Sequence, residues 1–281
     1  MMAQNAQGCH CRATDYESGG RDKRTQDDRK TPVAPVGRAN LYTNQEIWCF
    51  LVMGSRWIGF STGALAKGDF REGLRLQPES CAAVELSALR EHELEPLLSS
   101  LSRLDVGAYR YVSVHAPSKL VEHDENWLIE RLTAFPEDWP IVVHPDLVRQ
   151  PSSWLTLGSR LCLENMDIRK PTGRTADEME GLFKALPEAG FCFDLGHARQ
   201  IDPTMTVAME LLRRFKSRLR QLHVSDVGTF GEHRPIGYLT RLSFEVVVPY
   251  IDPAVPVIIE SVVEPAGLES ELRRTREIFA A

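Results

Sequence analysis

Residues 160–194 read RLCLENMDIRKPTGRTADEMEGLFKALPEAGFCFD, and they form one complete unit of the pattern that decides the fold. A short apolar run, Arg160 to Glu164, stops on a carboxylate. Thr175 and Glu178 then have the spacing of a capping box, and Met179, Leu182, Phe183 and Leu186 follow at helical period. Gly190 opens a second apolar run that stops on Asp194. Strand, helix and parallel strand are the predicted elements, because a run this short and apolar suits a strand buried on both faces.

Working outward, the same unit recurs from Trp57 to the end of the chain. Strands are predicted at Trp57–Thr62, Ala82–Ser87, Tyr111–His115, Ile141–His144, Arg160–Glu164, Gly190–Asp194, Leu219–His223 and Val255–Glu260. Helices are predicted around 69–77, 91–104, 124–134, 151–157, 175–186, 204–218, 239–250 and 268–280, the one beginning at Pro151 being the weakest pattern. Eight such units with short connections predict a single α/β domain, a closed (β/α)8 TIM barrel. An open doubly wound sheet would carry a glycine-rich first turn, and Gly59-Phe-Ser-Thr-Gly63 is not a dinucleotide fingerprint.

The predicted domain covers residues 53–281. Residues 1–52 hold Gly19-Gly20, mixed charges from Arg21 to Lys30 and few aliphatic side chains, so they are expected to form a disordered N-terminal extension. Within them Cys9-His10-Cys11 has no second ligand cluster nearby and reads as part of a tail. Six scattered cysteines in 281 residues are too sparse for a disulfide scaffold and fit a cytoplasmic protein. The longest apolar run, Ile47 to Met53, falls well below the roughly 20 residues of a membrane span. A net charge of −6 argues against a nucleic-acid partner, and a small molecule is the expected one.

What makes function legible is where the strands stop. In a TIM barrel the C-terminal strand ends surround one mouth, so residues distant in sequence converge there. Here the stops are Thr62, Glu85, His115, His144, Glu164, Asp194, His223 and Glu260, with His197, Asp226 and His233 just beyond. Alone, each histidine is ordinary. Together, five histidines with Glu164, Asp194 and Glu260 make a nitrogen and carboxylate set suited to divalent metal ions, one to three per chain, with Mn, Zn, Co, Fe and Mg as candidates. Side-chain alternation puts Cys162 on the face of Glu164 and Cys192 on that of Asp194, so both thiols are expected as packing in a lower interior layer. Glu85 reads as a buried structural carboxylate, and Trp127, Trp139 and Trp154 as packing. Arg149, Arg169, Lys170, Arg174, Arg199 and Arg234 follow strand ends and are the candidates for a local positive rim.

The segments Ser113-Val-His115-Ala-Pro117, Val143-His144-Pro145, Leu163-Glu164-Asn165, Phe193-Asp194-Leu-Gly-His197-Ala198, Leu222-His223-Val-Ser-Asp226, His233-Arg-Pro-Ile-Gly237 and Ile259-Glu260-Ser261 resemble the xylose-isomerase-like barrel superfamily. That superfamily includes sugar and sugar-phosphate isomerases and epimerases as well as endonuclease IV. The epimerase resemblance implies one ion on Glu164, Asp194, His223 and Glu260, with Glu164 and Glu260 as the catalytic pair that moves a proton across a metal-stabilised enediolate. Asn165, Arg199 and Arg234 are then expected to bind a polyhydroxylated or anionic small substrate. The endonuclease IV resemblance implies instead a multinuclear hydrolase, with His115, His144, His197 and His233 as further ligands. Gly231 stands where that pattern has an aspartate, with Glu232 or Asp226 as possible substitutes. On sequence alone the isomerase or epimerase reading ranks first and the hydrolase second. Regular patterning starts so late that Met53 is the expected initiator; mass spectrometry of the native N-terminus should find no peptide from upstream of it, and finding one would overturn this.

Overall fold

The computed structural model describes residues 56–280, so the expectations for residues 1–52 and for a start at Met53 lie outside the described residues. The strands are β1 (Ile58–Phe60), β2 (Ala83–Ser87), β3 (Tyr111–His115), β4 (Ile141–Val143), β5 (Leu161–Glu164), β6 (Gly190–Asp194), β7 (Leu219–Val224), a short pair β8 (Asp226–Val227) and β9 (His233–Arg234), and β10 (Val257–Ile259). Eight of them form one parallel sheet in the order β1-β10-β7-β6-β5-β4-β3-β2. The sheet closes on itself: Ser61 bridges to Glu85 in parallel, and the Ala82 N–H donates to the Ile58 carbonyl at 3.0 Å. The expected (β/α)8 barrel is the fold.

Closure depends on Gly59. A Cβ there would stand 1.6 Å from the Ala83 carbonyl oxygen, so β1 reaches β2 only because residue 59 has no side chain. The outward faces of the strands, among them Phe60, Leu86, Val114, Ile141, Leu163, Phe193, Leu222 and Ile259, belong to one continuous apolar core shared with helix residues such as Leu94, Leu128, Phe183, Leu211, Phe244 and Leu272. Burial of that surface is the main stabilising contribution. Inside the barrel, Val142, Cys162 and Cys192 form a separate fully buried cluster, which puts both thiols in the lower layer as alternation predicts.

Each predicted helical segment contains a helix. The helix Ala176–Ala185 starts where the capping pattern places it, with the Thr175 side chain accepting from the Glu178 N–H. The segment at 151–157 is only one α-turn, Pro151–Trp154, followed by a 3-10 stretch kinked at Gly158, where φ is +52°. Three elements do not appear in the sequence reading. Thr62 ends no strand but begins a short helix, Thr62–Ala66. Asp194 caps a helix, Leu195–Ile201, that leaves β6 without a loop. The antiparallel β8–β9 pair then follows β7 and carries His233. No helix among the described residues is long and apolar enough to cross a membrane.

Replacing Gly59 by alanine should force β1 off β2 and cost about 3 kcal/mol through overpacking against backbone. Chemical denaturation checks this, and a Gly59→Ala variant as stable as wild type would contradict the closure described here.

Candidate metal centre

Glu164 ends β5 at the middle of the mouth and is 1% exposed. Its two oxygens face different partners. Oε2 lies 3.3 Å from Nε2 of His115, the last residue of β3, and 3.3 Å from Nε2 of His144, the residue after β4. Oε1 lies 2.9 Å from Nδ1 of His223 on β7. That same Nδ1 is 3.5 Å from Oε1 of Glu260, the residue after β10. Four sets of donor atoms lie within 4.8 Å of one another: His115, His144 and Glu164; Glu164, Asp194, His223 and Glu260; His115, His223 and Glu260; and Glu164, Cys192 and His223. Glu164 belongs to both of the first two.

Local structure fixes how each ligand candidate is presented. His115 Nδ1 donates to its neighbour's carbonyl, Ala116 O, at 2.7 Å, which turns Nε2 toward Glu164. Asp194 accepts the His197 N–H through Oδ1 at 2.7 Å. Asn165 straps β5 to β6: its amide donates to Asp194 O and its carbonyl accepts from Asp194 N–H, both at 2.8 Å. Both polar ends of the Asn165 side chain are therefore engaged with backbone. His197 donates from Nδ1 to Asn165 O at 2.9 Å, which leaves Nε2 free of any hydrogen-bond partner. His233 is held by Ser225 Oγ at 2.8 Å and stands 3.5 Å from Glu260 Oε2.

Several buried polar atoms here make no hydrogen bond: His144 Nδ1, Asp194 Oδ2 and His197 Nε2. A buried acceptor without a donor costs about 1–3 kcal/mol, and native proteins leave few of them. Orphaned lone pairs among imidazoles and carboxylates are the donor set a divalent cation completes, so the residues fit a metal.

Charge in the cluster is strongly shifted. Burial raises the pKa of Glu164, but the His223 charge and hydrogen bonds from His115, His144 and His223 outweigh it and hold the carboxyl well below its usual range. Burial lowers His115, yet the Glu164 hydrogen bond and the Glu85, Glu164 and Glu260 charges lift it to about 9. His223 is raised well above its ordinary value in the same way, the surrounding anionic groups overcoming burial. Burial dominates at the other two carboxylates, pushing Asp194 to about 6 and Glu260 to about 7.

The third group implied by the endonuclease IV resemblance is incomplete in a specific way. At Gly231, φ is +77° and a Cβ would lie 2.1 Å from Arg169 Cζ, so the Arg169 guanidinium fills the space a side chain would need. Neither expected substitute faces His197. Asp226 accepts from Arg199 and Thr240, and Glu232 from Arg234 and the Phe230 N–H. The carboxylate that does approach is Asp167, 1% exposed, with Oδ2 at 3.8 Å from His197 Nε2 and an ion pair to Arg169. The sequence reading missed it, because it sits in an aperiodic turn three residues past Glu164.

Of the six expected rim cations, five are ion-paired, whereas exposed Arg149 makes no ion pair among the described residues. Lys170 pairs with Asp146 at 2.9 Å, Arg174 with Glu178 at 2.8 Å and Arg199 with Asp226 at 2.9 Å. Arg169 and Arg234 pair with Asp167 and Glu232. Arg199 also donates to Ser243, which turns it toward the helix Tyr238–Val247. Arg234 remains 55% exposed on β9.

No family model matches the chain, and no curated protein matches it. Solved structures do. Endonuclease IV from Thermus thermophilus is 20% identical, with 80% of this chain and 99% of that one covered at a TM-score of 0.52. A putative sugar phosphate isomerase/epimerase from Anabaena variabilis is 14% identical, covering 77% and 87%, at 0.46. A xylose isomerase-like TIM barrel protein from Mycobacterium smegmatis, in complex with magnesium, is 14% identical, covering 72% and 86%, at 0.42. The likeness to endonuclease IV from Thermus thermophilus is one of fold, a (β/α)8 barrel.

Above pH 6.5 an unfolded histidine is neutral, whereas folded His115 keeps its proton to about pH 9 and His223 is shifted the same way. The stability these protons contribute is present below pH 6.5 and lost as pH rises through the folded values. In the presence of a chelator, the melting temperature should fall between pH 7 and pH 9; a rise over that window would contradict the site geometry.

Proposed function

We propose that this chain is a divalent-metal hydrolase with a two-ion centre bridged by Glu164. The observation that carries the reading is the division of Glu164 between two ligand sets, Oε2 toward His115 and His144 and Oε1 toward His223. His115, His144 and Glu164 would hold one ion, and Glu164, Asp194, His223 and Glu260 the other. His197 and His233 stand beside the second group, Asp167 being the carboxylate nearest His197 Nε2. The two imidazoles of the first set suit Zn, Mn, Fe or Co better than Mg, whereas the second set, one imidazole with three carboxylates, suits Mn or Mg as well. Such ions, when bound, supply Lewis acidity and lower the cost of generating hydroxide near neutral pH.

The chain's own residues support hydrolysis around those ions. Glu260 is 12% exposed, more than Glu164 or Asp194, so it is the carboxylate of the second set most open to substrate at the mouth. Arg234, though paired with Glu232, is 55% exposed against 20% for Arg199 and is the better-placed substrate contact, since both polar ends of Asn165 are held by Asp194. The matched rim charges favour a compact substrate, a small phosphodiester or related ester, over the backbone of a long nucleic acid.

The isomerase or epimerase reading, first on sequence alone, ranks second once the geometry is considered. It needs Glu164 and Glu260 to take and return a proton. Glu260, the more open of the two, suits that role, but Glu164 has both oxygens engaged, Oε2 by His115 and His144 and Oε1 by His223. Isotope tracing separates the two. Protein loaded with Mn or Zn should hydrolyse bis(p-nitrophenyl) phosphate with 18O entering product from labelled water, and Glu164→Ala should abolish this. Exchange of substrate C–H with deuterated solvent across a panel of sugars, without ester hydrolysis, would overturn the proposal.

A further inference from the structure

Beneath the ligand layer the barrel interior holds a second polar cluster that hydrolysis does not use. Glu85, in the middle of β2, has 0% exposure. Its Oε2 accepts from Ser113 Oγ at 3.1 Å and Gln221 Nε2 at 2.7 Å, and lies 3.1 Å from His223 Nε2. Tyr111 donates to Gln221 Oε1 at 2.5 Å, which steadies the amide that steadies Glu85. The His223 ring thus stands between two buried carboxylates, Glu164 at Nδ1 and Glu85 at Nε2.

An isolated buried carboxylate is costly, and an apolar side chain of similar volume often does as well or better for stability alone. A function that needs the charge is the more economical explanation of Glu85. Only an unprotonated imidazole nitrogen can ligate a metal, and the proton on the other nitrogen is placed by its hydrogen-bond partner. Glu85 is acceptor-only while ionised, so it requires the proton on Nε2 and leaves the Nδ1 lone pair facing Glu164 and Glu260. The Gln221 amide nitrogen lies 2.7 Å from the same Nε2 and would donate to it in the opposite tautomer. The charge-assisted bond to Glu85 is the stronger of the two and decides the outcome.

We propose that Glu85 is the positioning residue of the second ion site: by taking the Nε2 proton of His223 in a hydrogen bond it commits Nδ1 to the metal, with Gln221 and Tyr111 holding the carboxylate in register. The inference rests on the two-ion reading for its ligand set, but it makes a separate claim about one imidazole.

The test uses 15N-histidine-labelled protein titrated with Zn, with long-range 1H–15N spectra assigned through a His223→Gln variant. In wild type the His223 signal should show a proton on Nε2 and zinc on Nδ1. Glu85→Leu should weaken one of the two zinc sites by about 10–100-fold and leave the other unchanged. Glu85→Gln, which retains an acceptor oxygen, should keep the wild-type signature and most of the affinity. A proton on Nδ1 of His223 in zinc-loaded wild type overturns the inference whether or not Glu85→Leu folds. So does a folded Glu85→Leu variant with both affinities and the His223 signature unchanged. A wild type that binds one zinc through Glu164, Asp194, His223 and Glu260 refutes the bridging reading instead and leaves the Glu85 claim to be judged on the His223 signal.

Discussion

One buried carboxylate constrains everything at the mouth of this barrel. Glu164 is nearly inaccessible to water and ionised, and removing the partners of such a charge typically costs about 3–5 kcal/mol. The strand order satisfies it from both sides. In the closed sheet β5 lies between β4 and β6, so one carboxylate oxygen meets histidines arriving from β3 and β4 while the other meets the side reached from β6, β7 and β10. Two ligand groups sharing one carboxylate follow from that position, given histidine or carboxylate at the neighbouring strand ends.

The rest of the molecule keeps this arrangement in place. Apolar residues on the outer strand faces lock the sheet under its helices, and Gly59 lets the first strand seal the cylinder. Inside, the buried cluster of Val142, Cys162 and Cys192 and the hydrogen-bonded set around Glu85 and Gln221 share the space beneath the ligand candidates, Cys192 being in register with Gln221. Around the rim, Arg169, Lys170, Arg174, Arg199 and Arg234 all meet carboxylates, those of Arg169 and Arg234 only two residues away, so most of the rim charge is spent in ion pairs.

Much of this was legible in the sequence because it depends on local period. Short apolar runs alternating with helical spacing gave eight strands within a residue or two of where they lie, and their polar stops identified Glu164, Asp194, His223 and the histidines. The misses are tertiary. Asp194 looks like a strand end, yet its side chain also caps a helix that begins at once and carries His197 inward. Asp167 lies in a turn with no period, and only the folded chain brings it to His197. Arg199 reads as a free rim cation until Asp226, 27 positions away, is found beside it. Period alone also could not rank one ion against two, since that depends on which oxygen of Glu164 each histidine meets.

The central claim is that Glu164 bridges two cations. The most direct measurement is anomalous diffraction at the zinc or manganese edge from crystals of the metal-loaded protein. Two peaks are expected, one between Glu164 Oε2 and His115 with His144, the other among Glu164 Oε1, Asp194, His223 and Glu260. A single peak at the second position, with His115 and His144 bound only to Glu164, would contradict it.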